Sequence, residues 1–213
     1  MTLTSLLLVG LLLGMRHATD ADHLAAVATL ATRCRFGETV RQGVAWGAGH
    51  TLTLLISGGA VLLLGLAVPE RAAQGLELTV GAMLVLLGAD VLRRLRRDRV
   101  QFRGHSHPPE RLPLRALGVG MVHGMAGSAA LVLLTLETMP SVPWGLAYIA
   151  IFGLGSILGM ALLSAAIAVP LRLTSRRLDR AYGALTAAVG LVTIGLGGVI
   201  VYRTGMTGGL FGA

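Results

Sequence analysis

The chain has few charged residues and almost no cysteine. Of its 213 residues, 13% are charged and 54% are hydrophobic, and the mean hydropathy is +0.75. A soluble domain needs a charged surface on all sides, so this composition argues against one and predicts a protein surrounded by lipid. The single cysteine, Cys34, excludes a disulfide framework, a paired-cysteine metal site and a thiol relay.

Lysine is absent as well, and all 18 basic residues are arginines. Most of them lie in short runs between apolar segments, so the net charge of +8 does not indicate nucleic-acid binding. Arginine-rich connections of this kind are kept on the cytoplasmic side of a membrane. The sequence has no ATP-binding loop, so energy for moving a solute must come from a gradient, the membrane potential or a separate subunit.

Long apolar stretches recur along the whole chain and predict an all-α, polytopic membrane protein with about six transmembrane helices. Each stretch is long enough to cross a hydrocarbon core of about 30 Å as a helix. The whole chain, 1–213, is predicted to form a single transmembrane domain. The predicted spans are 3–32, 43–68, 76–93, 113–136, 144–170 and 181–202.

The arginines predict the orientation of these spans. Counted together with the ends of the adjoining spans, the first, third and fifth connections contain three, eight and four arginines, whereas the second contains one and the fourth contains none. The odd connections are therefore predicted inside the cell, and both termini outside, in a multi-pass protein of the cell (inner) membrane. The third connection, the cytoplasmic loop 94–112, contains histidines as well as arginines.

The sequence also contains an internal repeat with an offset of 106 residues, about half the chain. Residues 14–17 (GMRH) match residues 120–123 (GMVH), and residues 46–50 (WGAGH) match residues 152–156 (FGLGS). A third match, in the same order along the chain, has an offset that is larger by three residues.

The predicted boundaries of the two repeats are about 1–100 and about 110–213. Because each repeat holds three spans, an odd number, the two must cross the membrane in opposite orientations. A 3+3 inverted repeat is a transporter architecture, with the binding site near the membrane midplane.

The segment 16–23 (RHATDADH) places ionisable side chains inside the first span. Such groups are costly within a membrane and usually mark an ion or substrate path. A salt bridge between Arg16 and Asp20, one helical turn apart, is the structural alternative, but it leaves both histidines and a second carboxylate unused. Imidazole together with carboxylate suits Ni, Co, Zn, Fe or Mn and fits Mg or Ca poorly.

The spacing within this segment leaves the ligand set open. On a regular helix, His17, Asp20 and His23 lie along one broad face, and Asp22 points elsewhere. If Asp22 joins both histidines at one ion, the helix must be distorted at this point, as broken helices at transporter sites are.

Three motifs in this chain resemble those of a known family. The pattern His17-x-x-x-x-Asp22-His23 is similar to the signature of the nickel/cobalt transporters and their short relatives, which include urease-accessory membrane proteins. Residues 49–51 (GHT) resemble the family's Gly-His-Ser/Thr segment, and residues 123–129 (HGMAGSA) resemble the His-Gly-Leu-Ala-Gly-Ser-Ala stretch of the short relatives.

The resemblance implies a Ni²⁺ or Co²⁺ permease with His17, Asp22 and His23 as metal ligands. Longer family members have eight spans and a later Asp-Thr-Ala-Thr-Glu segment that is not evident here, so the chain is most similar to the short six-span relatives.

Two further histidines are predicted to be metal ligands. His50 lies within the second span, and His123 occupies the repeat position of His17. The repeat also aligns Ser128 with Asp22 and Ser156 with His50. The candidates for supporting the ligands or lining the ion path are Arg16, Asp20, Ser128 and Ser156.

The sequence therefore predicts a membrane transporter of a divalent transition metal, not an enzyme. One alternative is an accessory or adaptor protein for metalloenzyme maturation. Another is an intramembrane zinc-dependent hydrolase, although the sequence has no His-Glu-x-x-His motif. The transported ion is Ni²⁺ or Co²⁺, with Zn²⁺ and Mn²⁺ as alternatives. The sequence leaves open the direction of transport and any homo-oligomer or accessory subunit.

Overall fold

The computed structural model describes residues 3–32, 36–65, 69–100, 113–125, 141–175 and 179–207. Within these ranges the backbone is helical apart from short turns, so the predicted all-α class is confirmed. The helices are α1 (Leu3–His17), α2 (Ala21–Ala31), α3 (Phe36–Leu64), α4 (Glu70–Val100), α5 (Leu114–Gly124), α6 (Val142–Ser175) and α7 (Asp179–Tyr202), followed by a π-helical turn at Arg203–Thr207.

Four helical segments in the described part of the chain are long and apolar enough to cross a membrane. Their outward side chains include Leu63 and Leu86, which are 68% and 71% exposed. An apolar exterior of this kind is stable in lipid and unfavourable in water, so the protein is a membrane protein. The four segments are Phe36–Leu64, Glu70–Arg97, Val142–Val169 and Ala181–Met206.

The two other predicted spans differ from a single continuous helix. The span predicted at 3–32 is divided between the shorter apolar helices α1 and α2. The span predicted at 113–136 begins as α5, and its remainder from residue 126 lies outside the described residues. Helix α4 continues through 94–100, which was predicted as the start of a loop, because arginine is a good helix former once the chain has left the lipid.

The interruption between α1 and α2 is a tight turn of three residues. The amide of Thr19 donates to the carbonyl of Arg16 at 2.9 Å, and the amide of Asp20 donates to the carbonyl of His17 at 3.1 Å. Asp20 itself is extended, with φ −60° and ψ 148°, and occupies the position before the first turn of α2. Aspartate is a favoured residue at that position. The turn therefore interrupts the helical period between His17 and His23.

The helices pack through glycines whose contacts repeat at the sequence offset of 106. A Cβ placed on Gly14 of α1 would meet the backbone carbonyl of Phe152 on α6. A Cβ placed on Gly120 of α5 would meet the carbonyl of Trp46 on α3. Gly120 lies 106 residues after Gly14, and Trp46 lies 106 residues before Phe152, so the second contact is the repeat equivalent of the first. The α1–α6 contact and the α3–α5 contact are thus equivalent.

The same equivalence holds at two more pairs of glycines. Gly49 approaches the carbonyl of Leu117, and Gly155 approaches the carbonyl of Leu11. Gly47 approaches Ile157, whereas its equivalent Gly153 approaches Thr51.

Between α4 and α7, a Cβ on Gly88 would lie 2.6 Å from the carbonyl oxygen of Gly190, and a Cβ on Gly197 would lie 2.6 Å from that of Gly81. This last pair follows the larger offset of 109 that the sequence match has in this region.

Candidate metal centre

Four buried histidines from four helices meet inside the bundle. His17 ends α1, His23 lies in the first turn of α2, His50 lies in the middle of α3, and His123 lies in the last turn of α5. Their exposed fractions are 9%, 1%, 0% and 2%. The ring centroid of His23 lies 4.4 Å from that of His17, 5.4 Å from that of His50 and 4.1 Å from that of His123. All four predicted histidines are therefore brought together.

Asp22 joins the two halves of the chain at this cluster. Its Oδ1 accepts a hydrogen bond from the amide of His23 at 2.9 Å and lies 2.9 Å from Nδ1 of the same residue. Its Oδ2 lies 3.0 Å from Nε2 of His123. The carboxylate thus faces the histidine cluster directly, which a regular helix through 16–23 would not permit.

Asp20 contacts His17, whereas Asp22 contacts His23 and His123. Its Oδ2 lies 2.8 Å from Nδ1 of His17, and its side chain is 53% exposed. The contact fixes the ring of His17 so that Nε2 faces the other histidines, as carboxylates do behind metal-binding imidazoles. The Arg16 side chain is exposed, and Asp20 pairs with His17 instead of forming the alternative salt bridge with Arg16.

Several ring nitrogens of the cluster have no hydrogen-bond partner among the described residues. Burying a polar nitrogen without a partner costs free energy, so such atoms indicate a ligand or a functional role. The unpartnered buried nitrogens are Nε2 of His17, Nε2 of His23, both ring nitrogens of His50 and Nδ1 of His123.

Two groups of side chains in the cluster can hold a metal ion. One is His17, His23 and His50, and the other is Asp22, His23 and His123. In each group the donor atoms lie within 4.8 Å of one another. Imidazole nitrogen with one carboxylate oxygen suits a divalent transition metal and not Mg²⁺ or Ca²⁺, so the donor chemistry fits the predicted class of ion.

Sequence comparison adds the family. Over 98% of its length the chain is 34% identical to the urease accessory protein UreH of Bacillus sp. (strain TB-90), and the alignment covers 96% of that protein. The chain belongs to the UreH family. UreH is named as an accessory protein and not as an enzyme, which agrees with the prediction that this chain is not an enzyme.

Two plant proteins are also similar to this member of the UreH family. The chloroplast proteins FOR GROWTH AND FERTILITY 1 and 2 of Arabidopsis thaliana are 28% and 26% identical to it, each over 90% of this chain. The alignments cover 58% and 55% of those two proteins. No family model matches the chain, and no solved structure matches it significantly.

Two aromatic side chains bound the cluster, and sequence reasoning did not single them out. The indole of Trp46 stacks on the ring of His23, with centroids 6.0 Å apart and planes within 9°. The ring centroid of Phe152 lies 5.5 Å from that of His17, and the ring centroid of Trp46 lies 5.7 Å from that of His123. Trp46 and Phe152 are equivalent in the repeat, and Trp46 stands four residues before His50 on the same helix, a signal that would have identified it.

Of the two serines predicted to line the ion path, Ser156 lies within the described residues and Ser128 does not. Ser156 is fully buried on α6, four residues after Phe152, and its Oγ has no hydrogen-bond partner in the described ranges. Ser128 lies outside the described residues, as do His105 and His107 of the arginine-rich loop.

Proposed function

We propose that this member of the UreH family carries a divalent transition-metal cation, Ni²⁺ or Co²⁺ first, across the membrane. The observation that carries this proposal is the cluster of four buried histidines beside the partly exposed Asp22, with several histidine ring nitrogens that have no hydrogen-bond partner among the described residues. The histidines are His17, His23, His50 and His123. Ionisable groups at such a depth are costly unless they serve a transported ion or proton. The motif resemblance to nickel/cobalt transporters and the similarity to a urease accessory protein both favour this class of ion.

The donor set is consistent with Zn²⁺ or Mn²⁺ as well as Ni²⁺ and Co²⁺. Affinity of nitrogen and oxygen sites generally rises from Mn²⁺ through Co²⁺ to Ni²⁺, so a site dominated by imidazole favours the later metals. The relationship to UreH, whose name links it to urease, is the reason for placing nickel first.

We propose a 3+3 inverted repeat as the architecture that moves the ion. Repeat one, about 1–100, comprises α1 to α4, with α1 and α2 together as one broken span. Repeat two, about 110–213, comprises the span that begins with α5, then α6 and α7. The equivalent glycine contacts at offsets of 106 and 109 support a two-fold relation between the repeats. With six spans and the arginine-rich connections on the cytoplasmic side, both termini lie on the outer side of the cell membrane.

The transport step follows from this architecture. An ion that enters from the outer side sheds water and binds neutral imidazoles and Asp22 between the two repeats. His17 and His123 occupy equivalent positions in the two repeats, so the ion lies near the axis that relates them. Rocking of one repeat against the other then exposes the ion to the opposite side.

A second function is favoured by the name of the relative. A urease accessory protein can bind a metal ion and support maturation of a metalloenzyme without moving the ion across the membrane. The same cluster would serve this role, with a partner accessory subunit receiving the ion. The two functions differ in one observable, which is flux of the metal.

Metal accumulation in cells tests the transport function. Cells without their own nickel uptake would express the wild type, a variant with both His17→Ala and His23→Ala, or Thr53→Val as a matched control. The Thr53 hydroxyl is buried one turn from His50 and bonds only to the carbonyl of Gly49 among the described residues. We expect the wild type and control to change cellular Ni²⁺ or Co²⁺ and the double variant to have no effect. Equal metal contents with and without the protein, at equal expression, would contradict transport.

A further inference from the structure

The ring of His23 belongs to two sets of donor atoms. On its Nδ1 side lie Oδ1 of Asp22 at 2.9 Å and Nε2 of His123 at 3.2 Å. Its Nε2, on the other side of the ring, has no hydrogen-bond partner among the described residues. His23 is 1% exposed, and Trp46 stacks on its face, so the ring is held in place while both of its nitrogens are directed into the cluster.

The second set of donors is made up of His17, His23 and His50. Nε2 of His17 and both ring nitrogens of His50 are buried and without polar partners in the described residues. The rings of His17 and His50 have centroids 5.3 Å apart, and each lies within 5.4 Å of the ring of His23. The two metal-holding groups therefore share His23 and no other residue.

We propose that the ion occupies two alternating positions, one on each side of the His23 ring; this rests on the proposed metal-transport function. In the first position the donors are His17, His23 through Nε2, and His50. In the second position they are Asp22, His23 through Nδ1, and His123. His23 remains a ligand in both, so the ion passes from one edge of a single imidazole to the other.

The two positions differ in chemistry. The first has three neutral imidazoles, whereas the second has a carboxylate that offsets part of the ion's charge. In the first position Nδ1 of His23 carries the ring proton and donates to Asp22 Oδ1, which orients the ring as second-shell carboxylates do. When the ion moves to the second position, Nδ1 releases this proton to a water molecule and Nε2 takes up a proton from water, so the ring stays neutral and the exchange releases no net proton. Two divalent ions at the two nitrogens of one ring would repel strongly, so one ion is held at a time.

The positions also belong to different parts of the fold. The first uses α1, α2 and α3, which all precede the third connection of the chain. The second adds α5, whose His123 is separated from His23 by 100 residues. Transfer of the ion across His23 is therefore transfer from donors of one repeat to donors shared between both.

Substitutions that remove one position at a time test this arrangement. The variants are His50→Phe, His123→Phe and the double variant, with Thr53→Val as the matched control; phenylalanine keeps a planar ring and removes both nitrogens. A parallel set with alanine covers the case in which the larger ring prevents folding. Co²⁺ would be titrated into the purified proteins in detergent, with its stoichiometry measured and its ligands determined by X-ray absorption.

We expect each single variant to bind one Co²⁺ per chain, with a carboxylate ligand in His50→Phe and an all-imidazole shell in His123→Phe. The double variant should bind more than about 100-fold more weakly, since it loses a direct ligand of each position and outer-shell losses alone reach that size. Both single variants should lose flux in proteoliposomes while they retain binding, because the ion can no longer pass across His23.

Other outcomes would overturn the two-position arrangement. If either single substitution abolishes binding, all the donors serve one site, and intact wild-type flux in the same experiment would show that the transport function stands. Two Co²⁺ ions per wild-type chain would overturn the exchange of a single ion. Wild-type protein that neither binds nor moves metal would overturn the proposed function together with this inference.

Discussion

Nε2 of His123 lies 3.0 Å from Oδ2 of Asp22, although 101 residues separate them in the sequence. The contact joins the first turn of α2 to the last turn of α5, which are both helix ends inside the bundle. Both residues are also close to His23, whose Nδ1 lies 2.9 Å from Oδ1 of Asp22 and 3.2 Å from Nε2 of His123. A metal site that depends on this contact requires both halves of the chain.

The two neighbouring carboxylates give the first prediction. In the His50→Phe background, Asp22→Asn should weaken Ni²⁺ binding by more than about 100-fold, because it removes the negatively charged oxygen that faces His23 and His123 at the remaining position. In the same background, Asp20→Asn should weaken binding by no more than about 10-fold, because Asp20 only orients His17 and is half exposed. Isothermal titration of both variants in detergent measures the difference. An equal or larger effect at Asp20 would contradict the assignment of Asp22 as the ligand.

A pair of glycines on α5 gives the second prediction. Gly120→Ala should lower the free energy of unfolding by about 1–3 kcal/mol, because the new methyl group would meet the backbone carbonyl of Trp46. Gly118→Ala on the same helix is the matched control, since a Cβ there has nothing within 4 Å. It should be neutral or stabilising by up to about 1 kcal/mol. Thermal unfolding in detergent distinguishes them, and equal melting temperatures would contradict the tight contact of α5 with α3.

The buried carboxylate of Asp90, in the second half of α4, gives the third prediction. Its Oδ1 lies 3.0 Å from Nη2 of Arg93 and 3.0 Å from Nε of Arg94. Its Oδ2 lies 2.9 Å from Nη2 of Arg115 on α5. Asp90→Asn should destabilise the protein by about 1–3 kcal/mol, because it weakens two charge-assisted hydrogen bonds within α4 and the one that joins α4 to Arg115 of α5.

The matched control for Asp90 is Glu77→Gln, an exposed carboxylate nearer the start of the same helix. It should leave the stability within about 0.5 kcal/mol of the wild type. If the two substitutions have the same effect, the ion pairs of Asp90 contribute nothing to the association of α4 with α5.

The single cysteine gives the fourth prediction, which concerns orientation. Cys34 lies in the first arginine-rich connection, so a membrane-impermeant maleimide should label it only after cells are permeabilised. A variant with Cys34→Ser and Ala72→Cys moves the thiol to the exposed start of α4, which is predicted outside, and should be labelled in intact cells. The reverse pattern of labelling would show that the orientation predicted from the arginines is inverted.

Much of the site could be predicted from the sequence. Ionisable side chains within an apolar segment are expensive, so the segment 16–23 stood out without any structure. The resemblance to nickel/cobalt transporters then implied His17, Asp22 and His23 as the ligands. His50 and His123 followed from a motif and from the repeat, and the structure brings both to the same cluster. The glycine contacts of α1 with α6 and of α3 with α5 follow the internal match at an offset of 106.

The sequence left the choice between Asp20 and Asp22 open, for a physical reason. Helical periodicity places Asp20 on the face of His17 and His23, and it contains no information about a turn that breaks the period. The extended backbone of Asp20 rotates the following helix and turns Asp22 towards His123. The four-residue spacing of Trp46 and His50 could have placed the indole on the face of the cluster, but its stacking on His23 depends on how α3 lies against α2.

Uptake of radiolabelled Ni²⁺ into proteoliposomes that contain only this protein tests the central claim most directly. Wild-type protein, His17→Ala and the control Thr53→Val would be compared at equal incorporation, with and without an imposed membrane potential. We expect the wild type and the control to move the ion, and His17→Ala to reduce the rate to that of protein-free vesicles. Tight Ni²⁺ binding by the wild type with no flux under any imposed gradient would contradict transport and favour the accessory function.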